Sequence, residues 1–274
     1  MCAEKLRQYF EEVRKRINNK ITCNGVFNIW EEFNDTVREF GPYEHYSSFS
    51  EFLIFSIVKK ILKERIEREE ISGEEFFKDL RRKRGLRNVL QEVEKDVRNL
   101  NTVESIDNLI KNKLKDDRYD KLREILINKR RDMLRKYRIK DTKYKVYLDH
   151  RYFYRDRKNI TPDLGFFKIE EDGEKKKEKF LGAIEVKVYP AFGISTVRDY
   201  IENKLNNVAK NTKTNFSILY IIFHKVSNNF REKLNQWEKN KGRSWSIKFL
   251  VLEANNNSIY DEVKNFLKNL NIIS

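Results

Sequence analysis

"ITPDLGFFKIEEDGEKKKEKFLGAIEVKVYP", Ile160 to Pro190, carries opposite charges inside what otherwise reads as a pair of core strands. Asp172-Gly173 lies between its two apolar runs, a dipeptide that favours a tight hairpin turn. Pairing symmetric about Glu174 sets Asp163 opposite Glu185, with Cβ atoms about 4.5–5.5 Å apart. Strand alternation sends Glu185 and Lys187 to one face, while Ile184, Val186 and Val188 take the other. Asp163, Glu185 and Lys187 then form one cluster, expected on the more open side of the sheet. Directly opposed carboxylates repel, so the pair calls for a cation. Hard oxygen donors without a neighbouring Cys or His select Mg²⁺, with Mn²⁺ as a substitute.

Around this hairpin the residue period is close to two from about Lys143 onward, and β-branched and aromatic residues gather. Strands are expected at 144–155, 162–169, 180–189, 216–224 and 245–252, with helices at 195–210, 228–240 and 259–270. A meander followed by strand–helix–strand–helix makes a mixed α/β sheet with helices packed on it. The first 141 residues are helical in texture instead. Leu6, Phe10, Val13 and Ile17 share one helix face, as do Ile29, Phe33, Val37 and Phe40. The segment 48–68, "SFSEFLIFSIVKKILKERIER", is apolar almost all round in its first half, which marks a helix buried on several sides. Residues from about 70 to 140 return to charged amphipathic helices, with a basic knot, Arg81-Arg82-Lys83-Arg84-Gly85, at a helix break.

The chain has 274 residues and a formal net charge of +15, which favours a polyanionic partner, nucleic acid first. Two cysteines, Cys2 and Cys23, lie in no metal-ligand spacing, which fits a reducing, cytoplasmic setting. The N-terminus has no apolar h-region, and no apolar run is long enough to span a membrane, so no membrane partner is expected. No phosphate-cradling glycine loop is present, so nucleotide hydrolysis is not expected to power the chain.

Pro162-Asp163 followed by Glu185-Val186-Lys187 resembles the PD-(D/E)xK nuclease superfamily, whose fold is restriction-endonuclease-like. That core is a helix, a three-strand meander carrying the motif, a helix and a further strand. The resemblance covers the C-terminal part, 142–274, together with the helix at 48–68, which it would pack on the core, leaving about 70–140 as a helical insertion. It implies that Asp163 and Glu185 are metal ligands and Lys187 the catalytic lysine. Many members also carry a glutamate on the helix before the meander. Glu51 is the preferred position here, with Glu124 and Glu44 as competitors.

The expected activity is Mg²⁺-dependent endonucleolytic hydrolysis of DNA, of restriction or defence type. RNA stays open as substrate, junction resolution or repair uses the same chemistry, and a homodimer is one arrangement a double-strand cutter can take. The rival is an inactive nuclease-fold protein that only binds nucleic acid. Arg151, Arg155, Arg157 and Lys158 interleave with aromatics before Asp163, and Lys204 lies on the helix after the motif with Lys210, so these are the candidate phosphate contacts.

Overall fold

The computed structural model describes residues 46–63, 65–148, 162–172, 175–188, 193–212, 215–223, 226–239, 244–252 and 259–274. The two amphipathic helices expected before residue 41, both cysteines, Glu44, Arg151, Arg155, Arg157 and Lys158 lie outside the described residues. The chain divides into two compact units, one of residues 67–138 and the other of the residues on either side.

The larger unit is built on the hairpin. Strands β3 (Tyr144–Leu148), β4 (Leu164–Asp172) and β5 (Lys175–Val188) run antiparallel, and β6 (Phe216–Phe223) and β7 (Trp245–Leu252) add to β5 in parallel. With β1 (Ile66–Arg68) and β2 (Lys136–Ile139) the seven strands form one mixed sheet in sequence order. The helical reading of 120–140 and of the tail of 48–68 missed these two short strands. Helix α1 (Tyr46–Ile61) ends before Lys63, whose φ of 51° is left-handed, and the strand begins three residues later.

Parallel neighbours need crossovers, and the helices supply them. Between β5 and β6 the chain forms a continuous helix: α2 (Ile194–Asp199), a π-helical turn (Tyr200–Leu205) and α3 (Asn206–Thr212). Helix α4 (Asn228–Glu238) joins β6 to β7, and α5 (Ile259–Asn269) follows. Val197, Ile201, Leu205 and Val208 pack with Ala183, Ile218, Tyr220 and Ile222 in one core on a single face of the sheet. On the other face α1 packs against β5 and α5, and Phe166 meets Phe266 edge to face with centroids 6.0 Å apart. Both faces are therefore covered, which explains the near-continuous apolar run of β6.

One irregularity sets the register. Near the tip Asp172 pairs with Lys175 and Phe167 with Phe180, one step out of symmetry about Glu174. Leu181 is then passed over, and Phe166–Gly182, Gly165–Ala183 and Leu164–Ile184 fall into the symmetric register. This bulge re-aims the strand, so that Phe180 and Ala183, an odd number of residues apart, both enter the same core. Gly182 sits where β6 comes closest: a Cβ there would lie 2.2 Å from the Ser217 carbonyl oxygen.

The smaller unit is helical, with α6 (Gly73–Arg81), α7 (Arg87–Arg98), α8 (Val103–Asn112) and α9 (Asp120–Met133) around Phe77, Leu80, Leu90, Val97, Leu122 and Leu126. Ser72 caps α6 by accepting from the Glu75 N–H at 3.2 Å, and Thr102 with Ser105 forms a capping box on α8.

Gly182→Ala is expected to lose about 1–3 kcal/mol of stability, because the new methyl must displace backbone rather than a side chain. The midpoint of urea denaturation reads this directly.

Candidate active site

Asp163 stands one residue before β4, at the step the ladder places opposite Glu185. Its Oδ2 accepts a hydrogen bond from the Val186 N–H at 2.6 Å, so the carboxylate is tied across the strand pair. Lys187 joins both acids: its Nζ donates to Glu185 Oε1 and to the Val186 carbonyl at 3.1 Å, and lies 3.8 Å from Asp163 Oδ2. The structure thus brings Asp163, Glu185 and Lys187 together on one face, at the middle of the sheet.

That face is not the open one that the strand pattern suggested. Glu185 is only 5% exposed, because the helix from Ile194 to Thr212 lies over it. Strand β6 completes the enclosure, since Tyr220 is the register partner of Glu185. Tyr220 in turn stacks edge to face on Tyr200 of the π-helical turn, with centroids 5.3 Å apart. Lys204, exposed on the same turn, has its Nζ 6.0 Å from the Tyr200 ring centroid and draws on Glu185 electrostatically.

The electrostatics follow from this burial. Desolvation pushes the Glu185 carboxyl above its ordinary range, opposed by the charges of Lys187 and Lys204 and by the Lys187 hydrogen bond. Both tyrosine hydroxyls are pushed up as well, mainly by burial and then by the negative charge of Glu185. Three buried polar atoms in this small space have no hydrogen-bond partner: Glu185 Oε2, the Tyr200 hydroxyl and the Tyr220 hydroxyl. Each such atom costs about 1–3 kcal/mol, so the cluster is an expensive way to fill a core. A perturbed acid and unpartnered buried polar atoms concentrated in one place make this cluster a functional-site candidate.

The donor set fits a hard divalent cation. Glu185 Oε2 is a carboxylate oxygen without a partner, Asp163 shares Lys187 with Glu185, and among the described residues no Cys or His joins the cluster. Among the described residues no group of three or more His, Cys, Asp or Glu is assembled. Mg²⁺ characteristically takes one or two carboxylates and completes its shell with water and substrate phosphate, so two acids suffice.

Of the other sequence candidates, Glu51 lies on α1, but its side chain is outside the described part of the structure. Glu124 is exposed on α9, in the smaller unit. Lys210 is exposed near the end of the covering helix. Tyr200 and Tyr220 were missed. Tyr220 alternates with Ile218 and Ile222 and reads as packing, although a buried tyrosine hydroxyl ordinarily finds a partner, which was the usable signal. An open polar cavity of about 450 Å³ lies toward the starts of β6 and β7, lined by Lys179, Asn215, Ser217 and Ser246 among others, and contains none of the candidate residues.

Compared with family models, with curated proteins and with solved structures, the chain matches none. Among the described residues no helix is long and apolar enough to cross a membrane.

Two outcomes are expected in chelator. A raised folded-state pKa means that the folded protein holds the Glu185 proton longer than the unfolded chain. The resulting penalty is absent below the unfolded value and grows as pH rises toward the folded one. Thermal melts of Glu185→Gln against wild type should therefore favour the variant increasingly as pH rises above the ordinary glutamate range. Tyr220→Phe removes an unpartnered buried hydroxyl and should leave stability unchanged or raise it by up to about 1 kcal/mol, read by urea denaturation.

Proposed function

We propose that the chain is a Mg²⁺-dependent nuclease with a restriction-endonuclease-like core, hydrolysing phosphodiester bonds in DNA. The single observation that carries this reading is the Asp163–Glu185–Lys187 cluster, with its buried, unpartnered Glu185 Oε2. The order of elements supports it: α1 on one face, the meander β3–β4–β5 bearing the cluster, a covering helix on the other face, then parallel β6. The formal charge of +15 suits a phosphodiester substrate.

Asp163 and Glu185 would hold the metal, and both are fixed before it arrives, Asp163 by the Val186 N–H and Glu185 by strand β5. The bound cation would polarise the scissile phosphate and lower the pKa of a water on it. Lys187 carries the positive charge that opposes the negative charge growing on the phosphate in the transition state. It also balances the two acids in the metal-free protein, where it contacts Glu185 and lies near Asp163. The covering helix and β6 keep bulk water from the inner side, so these charges act in a low dielectric. A binding protein that had lost catalysis would keep the basic surface but gain nothing from the orphaned Glu185 oxygen.

Purified protein with Mg²⁺ should nick plasmid DNA, and chelator should abolish the activity. Asp163→Ala and Lys187→Ala should each cut at least about 100-fold more slowly. Mg²⁺ should raise the melting temperature of wild type and leave that of Asp163→Ala unchanged. Equal nicking by all three proteins, or cleavage that survives chelation, would remove the cluster from the chemistry.

A further inference from the structure

The basic knot of the sequence becomes a turn of fixed shape in the smaller unit. Helix α6 ends at Arg81, its last turn held by the buried Leu80, and α7 begins at Arg87 after the buried Leu86. The Arg82 N–H donates to the Asp79 carbonyl at 3.3 Å and the Lys83 N–H to the Leu80 carbonyl at 3.0 Å. Gly85 takes a φ of 79°, and the Lys121 ammonium donates to the Arg84 carbonyl at 2.6 Å. The backbone is therefore tied at both ends and in the middle. Its side chains Arg81, Arg82, Lys83, Arg84 and Arg87 are all exposed.

Two observations separate this turn from an ordinary solvated face. The first is pairing. Elsewhere in the unit most arginines are spent on acids: Arg68 on Glu104, Arg98 on Glu74 and Glu94, Arg118 on Glu92, Arg123 on Asp120, Arg130 on Asp107, Arg138 on Glu67. At the turn, Arg82 alone reaches an acid, Asp79 at 3.6 Å with both side chains well exposed. Among the described residues the side chains of Arg81, Lys83, Arg84 and Arg87 make no ion pair and no hydrogen bond. The second is the helix dipole. Arg81 at the C-terminus of α6 is favourably placed. Arg87 opens α7, where a cation is disfavoured, and that first turn holds no acid and no side-chain cap to offset it. Local stability does not account for Arg84 and Arg87.

We propose that this turn is an anchoring site for the phosphodiester backbone of a nucleic-acid duplex. Closely spaced, unpaired cations on a rigid knuckle fit a ligand with regularly repeated single negative charges. Guanidinium groups suit phosphate oxygens in particular. The site positions nucleic acid without reading its sequence, because it offers charge rather than a patterned set of donors and acceptors. It shares a substrate class with the nuclease reading but requires neither the metal nor the Asp163–Glu185 cluster.

The test is equilibrium binding by full-length protein in chelator, followed by fluorescence anisotropy of a labelled 30-base-pair DNA duplex across a salt series. The variant is Arg81→Gln, Lys83→Gln, Arg84→Gln and Arg87→Gln combined. The control is Lys95→Gln with Lys111→Gln, exposed bases of the same unit away from the turn. The expected result is at least a 10-fold weaker Kd for the variant at moderate salt. Its slope of log affinity against log salt should be shallower by about three to four. The control should move each by less than half as much. The four exposed substitutions should leave the melting temperature and circular dichroism unaltered. A double-stranded RNA arm tells which duplex is preferred, and loss on either duplex supports the site. Binding by the variant equal to wild type overturns the proposal, as does absence of duplex binding by wild type, or wild-type binding to anionic vesicles in place of duplex. Cleavage is scored separately: a variant that binds poorly yet nicks with Mg²⁺ at high protein concentration keeps the catalytic reading and the anchor apart.

Discussion

The pairing of β4 with β5 is the constraint on which the larger unit depends. A strand has two faces, and a slip of one residue exchanges them. In this hairpin the slip occurs once, at Leu181, and it is built in. On the tip side of the bulge Phe167 and Phe180 face the helix-covered core. On the other side Ala183 and Glu185 do. Without the bulge the register would move Glu185 away from its place opposite Asp163, and the Val186 N–H could not reach the aspartate. The approach of β6 reinforces the arrangement, since only glycine fits at position 182 against the Ser217 carbonyl. A backbone irregularity, a missing side chain and a pair of carboxylates are thus parts of one device.

Much of this was legible because hydrophobic alternation survives in a chain otherwise crowded with charge. The five strands from Tyr144 onward and the three helical segments between and after the later ones fall close to their expected positions. The register near Asp163 was also legible, though by a compensation that sequence does not show. Symmetry about Glu174 is wrong at the tip, where Asp172 pairs with Lys175, and right beyond Leu181, where the bulge restores it. Strands β1 and β2 were not legible. "IER" and "KYRI" are too short for a period to be counted, and both extend sequences with strong helical patterns.

The candidate site was legible in its residues and not in its surroundings. Asp163, Glu185 and Lys187 could be grouped by alternation alone, but alternation says nothing about which face is covered. The covering helix decides that, and its π-helical turn brings Tyr200 over Tyr220. A π turn inserts one residue into a helix and shifts the faces on either side, a feature common where function constrains the backbone. The consequence is a buried glutamate whose partners are incomplete: one oxygen meets Lys187 and the other meets none. The fold bears this cost within its own core, beside an otherwise ordinary aromatic and aliphatic packing.

The short strands β1 and β2 have a consequence of a different kind. The Glu69 N–H donates to the Lys136 carbonyl at 3.1 Å, and the Lys140 N–H to the Arg65 carbonyl at 2.8 Å. The chain therefore leaves and returns through neighbouring points. For the sheet-bearing unit, an unstructured excursion of this length would carry about 2–3 kcal/mol more closure entropy than a tight turn. Once residues 67–138 have closed on their own core, that difference vanishes, and the remainder of the chain folds as though a hairpin joined its halves. Long sequence separations across α1 and β3 then count as short ones in the search for native contacts.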